Sequence, residues 1–208
     1  MKHPAIKYFL ISLGVIILDQ IVKMLVYYNM QMGSPGQIQI LGELFKLHYL
    51  TNEGMAFGII LDFPYGKFVL TSFRIVAMIA IGYYLLSLVK QKQNQGLVIC
   101  IALILGGAIG NLIDSIFYGV LLDNAPYDAP TPWFYGKVID MFYIDIWEGY
   151  LPDWIPFMGG SHMALWPVFN IADASIFIAI CIIIIYQKRY FKREETSEGS
   201  MKEAEPQD

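Results

Sequence analysis

The sequence predicts an all-α polytopic membrane protein with four transmembrane helices, a small extracytoplasmic β-sheet and a long, aromatic-rich outer loop. Three observations lead there. Of the 208 residues, 56% are hydrophobic and 15% charged, whereas soluble domains run at about 45–50% and about 25%, so the chain is solvated largely by lipid. Four apolar runs reach or approach the ~20 residues that a helix needs to cross a bilayer. Long segments separate the first run from the second and the third from the fourth, and both hold residues suited to folding at a membrane surface.

The runs extend from Tyr8 to Tyr28, Phe68 to Val89, Leu97 to Phe117 and Phe169 to Tyr186. Lys2 and Lys7 give the first the look of a cleavable leader, but no small-residue cleavage site follows and Asp19 interrupts it, so a retained helix is expected. The last is short, which implies tilting or anchoring by its flanking aromatics. If the helices alternate direction, Lys2, Lys7, Lys90, Lys92, Lys188, Arg189, Lys192 and Arg193 fall on one side, against Lys46, Lys67 and Lys137 on the other. The positive-inside rule then places both termini in the cytoplasm and the segments 29–67 and 118–168 outside. A single domain over 1–193 is expected. The tail 194–208, with Glu194, Glu195, Glu198, Glu203 and Glu205, reads as disordered.

In the first outer segment Ile38, Ile40, Leu44, Phe45, Leu47 and Tyr49 are interleaved with Gln39, Glu43, Lys46 and His48, an imperfect period of two that predicts strands. The second carries Trp133, Phe134, Trp147, Trp154, Phe157 and Trp166, aromatics suited to the headgroup level. It also holds most of the prolines, which predicts irregular backbone with short helical or strand pieces.

Several chemistries are excluded. A net charge of −4 offers no basic footprint for nucleic acid. Cys100 and Cys181 lie in apolar runs, which excludes a disulfide scaffold or a cysteine-rich metal site. His3, His48 and His162 are scattered and form no H-E-x-x-H pair. Gly160-Ser161-His162 reads as a turn rather than a nucleophile with its base. Carboxylates and asparagines remain.

Asp19, Lys23, Arg74, Asn111, Asp114, Asn170 and Asp173 lie in or at the edges of the spans. An ionised residue at mid-span costs about 2.5–3.5 kcal/mol, so pairing, protonation or snorkelling is required. Helical spacing converges them: Asp19 with Lys23 at i,i+4; Gly107, Asn111 and Asp114 on one stripe; Asn170 and Asp173 at i,i+3. Gly106, Gly107 and Gly110 would let a helix approach closely there. Asp19 and Lys23 fit a structural salt bridge as well as a functional one, and Asp114 fits solvation or support of a neighbouring loop. Asp173, a turn inside its helix with no cation nearby in sequence, points to function.

Two carboxylates sharing a proton can hydrolyse a peptide bond, because like charges held close split their pKa values. The second acid would come from an outer loop. Asp140, within Gly136-Lys137-Val138-Ile139-Asp140-Met141-Phe142, is placed by that apolar run at the membrane boundary, while Asp128, Asp145 and Asp153 better fit solvated loop residues. Spacing alone leaves Asp140 open between these readings.

Five ordered segments now resemble a known family, the lipoprotein signal peptidases (signal peptidase II), bacterial membrane aspartyl proteases. They are Asp19-Gln20 with Lys23; Thr51 to Gly58, including Asn52 and Gly54; Gly106 to Asp114; Gly136 to Phe142; and Phe169 to Ser175. The resemblance implies Asp140 and Asp173 as the catalytic pair, with Asp19, Lys23, Asn52, Gly54, Asn111, Asp114 and Asn170 binding substrate or supporting the site. It further implies a four-helix fold with a small periplasmic sheet, lipid-modified prolipoprotein signal peptides and membrane lipids as partners, an inner-membrane location, and no metal or organic cofactor; a monomer is expected, though nothing in the sequence bears on oligomeric state. Two departures stand out. Ser115 occupies the place of an arginine usual after Asp114, with Arg74 a candidate substitute, and Gly119-Val120-Leu121-Leu122-Asp123 imitates the segment around Asp140. Asp140 is preferred because Asp123 runs into Asn124-Ala125-Pro126, which cannot extend a strand.

Two rivals belong to other classes. A proton- or cation-coupled transporter would use Asp19, Asp114 and Asp173 as relays, but these acids crowd one half of the bilayer and no inverted repeat is visible. A non-catalytic scaffold would bind signal peptides without cleaving them.

Overall fold

The computed structural model describes residues 4–53, 65–154, 159–160, 162–164 and 166–191. Helix α1 is Ile6–Asn29, α2 Gly66–Lys90 and α3 Gln95–Ile113. The last continues through a π-helical segment, Asp114–Tyr118, into a final turn, Gly119–Leu121. Among the described residues these are the three helices long and apolar enough to cross a membrane. Helix α4, Ile171–Ile185, is a shorter apolar helix of 15 residues, about 22 Å at ~1.5 Å per residue, less than the ~30 Å hydrocarbon core. Where four spans were expected, three membrane-length helices and one shorter helix are found. The run from Phe169 to Tyr186 is trimmed at its start because Phe169 pairs with a strand and Asn170 caps the helix.

The strand expectation is realised as a hairpin, β1 Ile38–Leu41 and β2 Phe45–Asn52, turning at Gly42 with φ +56°, a backbone conformation that favours glycine. A third strand, β3 Val138–Ile144, completes an antiparallel sheet in the order β1-β2-β3, with Leu50 opposite Asp140 and Asn52 opposite Val138. Further along, β4 Glu148–Tyr150 and β5 His162–Ala164 pair antiparallel. Trp133 meets Phe117, and Trp166 meets Phe169 and Phe177, whereas Trp147 and Trp154 are exposed.

Two apolar clusters bracket the helices. One joins Tyr8 of α1, Leu85 and Leu88 of α2, and Leu97, Val98, Ala102 and Leu105 of α3. The other joins Val26 of α1 and Tyr118 to the sheet residues Tyr49, Ile139 and Met141. Asp19 and Lys23 on α1, and Asn111 and Asp114 along α3, fall between these clusters in sequence, so the polar residues form a layer between two apolar ones. Glycine lets the helices close around that layer. A Cβ on Gly110 would come 2.8 Å from Asp19 Oδ2, and one on Gly107 would come 2.6 Å from Ser175 Oγ and collide with the Ala172 carbonyl.

Candidate active site

The chain entering α4 joins the edge of β3. Phe169 N–H donates to the Phe142 carbonyl at 2.9 Å, and Met141 and Phe142 N–H both donate to the Phe169 carbonyl. This bridge fixes Asn170 beside Asp140. Asn170 Nδ2 donates to Asp140 Oδ1 at 2.6 Å, and Asn52, at the end of β2, donates from Nδ2 to Asp140 Oδ2. Asn170 is also the N-cap of α4: its Oδ1 accepts Asp173 N–H at 2.9 Å, and Asp173 Oδ2 accepts Asn170 N–H at 3.4 Å. Such a reciprocal cap satisfies backbone donors at the helix start and fixes the acid's rotamer. One asparagine thus holds both carboxylates.

Asp173 is gripped from α3 as well, where Asn111 Nδ2 donates to its Oδ1 at 2.7 Å. The Oδ1 of Asn111 accepts from Lys23 Nζ at 2.9 Å and from Asn170 Nδ2 at 3.0 Å. Lys23 pairs with Asp19 at 2.8 Å and Asp114 at 2.7 Å, and all three side chains are fully buried. Each acid also reaches onward: Asp19 Oδ1 accepts Ala172 N–H at 2.9 Å, and Asp114 Oδ2 accepts Ile139 N–H at 3.3 Å. The triad therefore locks α1 to α3 and props both the start of α4 and the strand carrying Asp140.

Asp140 sits in β3 at 2% exposure. Burial, and then the negative charge of Asp173, push its carboxyl up to about 8 against the pull of Lys23, Asn170 and Asn52. A carboxyl in that range holds its proton at neutral pH. Asp173, held by Asn111 and by the start of α4, is its neighbouring acid.

A family model for Signal peptidase (SPase) II matches residues 11–189. The chain belongs to the signal peptidase II family. Among its relatives, this family member is 51% identical over 186 residues to the lipoprotein signal peptidase of Amoebophilus asiaticus, covering 89% of this chain and 79% of the relative. It is 35% identical over 207 residues to that of Porphyromonas gingivalis, covering 92% and 89%. A solved bacterial membrane enzyme, determined by the in meso method, superposes with a TM-score of 0.59 at 26% identity, covering 91% of this chain and 92% of that one. The signal peptidase II family is one of aspartic peptidases, so the chain is a hydrolase, and with its apolar helices this makes it a bacterial inner-membrane protein.

Most residues singled out in the sequence of this signal peptidase II family member meet in one network: Asp19, Lys23, Asn52, Asn111, Asp114, Asp140, Asn170 and Asp173. Gly54, with the rest of its segment to Gly58, lies outside the described residues, as does the tail 194–208. Of the two readings open for Asp114, loop support matches its position, since it is fully buried and holds Ile139 N–H rather than being solvated. Asp123 is exposed on a residue with φ +51°, in the turn after α3, and Asp145 pairs with Lys46 at 2.8 Å. Sequence reasoning gave no role to Gln20 or Tyr118. Gln20 Nε2 donates to Asp114 Oδ1 at 2.9 Å, and Tyr118 OH donates to Gln20 Oε1 at 3.0 Å. An amide inside an apolar span was the available signal for Gln20. Among the described residues no group of three or more His, Cys, Asp or Glu could hold a metal ion.

Proposed function

We propose that Asp140 and Asp173 are the hydrolytic pair of a membrane endopeptidase that removes signal peptides from diacylglyceryl-modified prolipoproteins. The observation that carries this reading is the Asn170 bridge, which donates to Asp140 Oδ1 at 2.6 Å while its own Oδ1 accepts Asp173 N–H at 2.9 Å. Ionised Asp173 takes a proton from water, and protonated Asp140 donates a hydrogen bond to the scissile carbonyl oxygen. Hydroxide adds to the carbonyl carbon, the tetrahedral intermediate collapses, and the C–N bond breaks as the leaving amine receives a proton. Water thus adds across one peptide bond, leaving a carboxylate on the signal peptide and an amine on the lipoprotein.

In this reading Asn52, Asn111 and Asn170 orient the carboxylates, while Asp19, Lys23 and Asp114 brace the elements beneath them. The lysine and arginine bias supports cytoplasmic termini, which turns the sheet and the acids toward the periplasmic face. The precursor's signal helix enters laterally, its acyl chains stay among membrane lipids, and a single chain carries the whole peptidase domain over 1–193, with 194–208 as a cytoplasmic tail. Purified full-length protein in phospholipid vesicles tests the substrate. A diacylglyceryl-modified precursor yields signal peptide and shortened lipoprotein, and the same precursor without the lipid does not; equal cleavage of both would contradict the reading.

A further inference from the structure

Glu53 directly follows Asn52, the last residue of β2. Asn52 stands opposite Val138, which makes Asp140 its diagonal neighbour on the same face of the sheet, and Asn52 Nδ2 donates to Asp140 Oδ2. Strand ends fray, so this donor depends on what fixes the chain just beyond it. Glu53 is held from two sides: its Oε2 accepts from Lys67 Nζ at 2.8 Å, and its Oε1 meets Lys137 Nζ at 3.4 Å. Lys137 directly precedes β3, and carrying the register one residue past Asn52 and Val138 places it across from Glu53.

Both lysines are themselves fixed. Lys67 lies in the first turn of α2 with its side chain 7% exposed. That end of the helix is joined to the segment before β3 by the Thr71 hydroxyl, which donates to the Phe134 carbonyl at 3.1 Å, and by the rings of Phe68 and Phe134, 5.4 Å apart. The backbone of Lys137 pairs with the Asn124 side chain: its N–H donates to Asn124 Oδ1 and its carbonyl accepts from Asn124 Nδ2, both at 3.0 Å. Glu53 is therefore clamped between α2 and the entry to β3, and releasing it would strip a buried ammonium of this carboxylate.

We propose that Glu53 is a positioning residue for the hydrolysis: clamped by Lys67 and Lys137, it fixes the end of β2 so that Asn52 stays on Asp140. This rests on the reading of Asp140 and Asp173 as the hydrolytic pair. Glu53 acts through Asn52, so its effect on turnover exists only while Asn52 is there to be placed.

The test is a double-mutant cycle of Glu53→Ala, Asn52→Ala and both together, each full length in phospholipid vesicles. Cleavage of a diacylglyceryl-modified precursor is followed in single turnover, with enzyme in excess so that slow variants register. Glu53→Ala lowers the maximal rate about tenfold, the scale of a donor displaced by less than an ångström, with the half-saturating concentration little changed. Asn52→Ala lowers the rate at least as far, and the double variant matches Asn52→Ala alone. A residue serving only general stability would instead multiply the losses, so a further fall of about tenfold in the double variant overturns the proposal. So does a full rate in folded Glu53→Ala. If Glu53→Ala does not fold, Lys67→Met, which frees the same carboxylate from α2, enters the cycle in its place and must show the same non-additivity. Asp140→Asn in the same assay separates the two levels. If it is dead while the cycle is additive, only the role of Glu53 fails; if it is active, the pair itself is wrong.

Discussion

Asn170 donates to Asp140 across 2.6 Å from the cap of the helix that carries Asp173. Its Nδ2 holds the Asp140 carboxyl and its Oδ1 accepts the backbone N–H of Asp173, so the placement of Asp140 against the start of α4 depends on one amide. Replacing it with alanine removes both constraints. Asn170→Ala should lower kcat by about 10²-fold, the scale expected for misplacing a reacting group by an ångström, and should cost about 1 kcal/mol of helix capping. Steady-state kinetics on a lipid-modified precursor, beside thermal unfolding in detergent, separates the two effects. A loss of activity no greater than the loss of folded protein would contradict the bridge.

Lys23 shares its buried charge between Asp19 and Asp114. Truncating the lysine alone strands two buried carboxylates, so Lys23→Met should destabilise the fold by ~3–5 kcal/mol. Neutralising the whole triad with Asp19→Asn, Lys23→Met and Asp114→Asn should cost less than the single change, because no unpaired charge remains. Unfolding midpoints of the two variants check the order. A milder effect for Lys23→Met alone would show that the triad does not carry its charges as described.

The carboxyl of Asp140 stands at about 8 in the fold against an ordinary 3.8. Between those values the unfolded chain has released this proton and the folded chain keeps it. The folded state binds the extra proton, so this stabilisation is complete below the ordinary value and is lost as pH rises toward 8. Wild-type Tm should fall from pH 5 to pH 8 relative to Asp140→Asn, which has no proton to release. Thermal unfolding across that window measures the difference, and a wild-type Tm that rises relative to the variant contradicts the assignment. The proton belongs to the pair, so the alkaline limb of activity should appear in the same region.

Much of this site was legible because its parts repeat locally. The i,i+4 spacing of Asp19 and Lys23, the stripe of Gly107, Asn111 and Asp114, and the alternation from Ile38 to Tyr49 are short-range patterns that helices and strands convert directly into shared faces. The preference for Asp140 over Asp123 drew on the same logic, since only the former continues into residues able to extend a strand. What the sequence could not display is long-range. The pairing of Phe169 with Phe142 trims the start of α4 and sets Asn170 against Asp140. No periodicity reports a single bridge between residues on separate elements. The roles of Gln20 and Tyr118 are long-range for the same reason: Gln20 reaches Asp114 and the Gly110 carbonyl on α3, Tyr118 reaches back to Gln20 on α1, and neither stands in a repeating polar pattern.

Cleavage of a diacylglyceryl-modified precursor by Asp140→Asn, Asp173→Asn and Asp123→Asn, each confirmed as folded and membrane-inserted, tests the central claim most directly. The first two should lose at least about 10²-fold in turnover, the contribution expected of a positioned acid or base, while Asp123→Asn stays near wild type. Substantial turnover by Asp140→Asn or Asp173→Asn, or its abolition by Asp123→Asn, would contradict the pair.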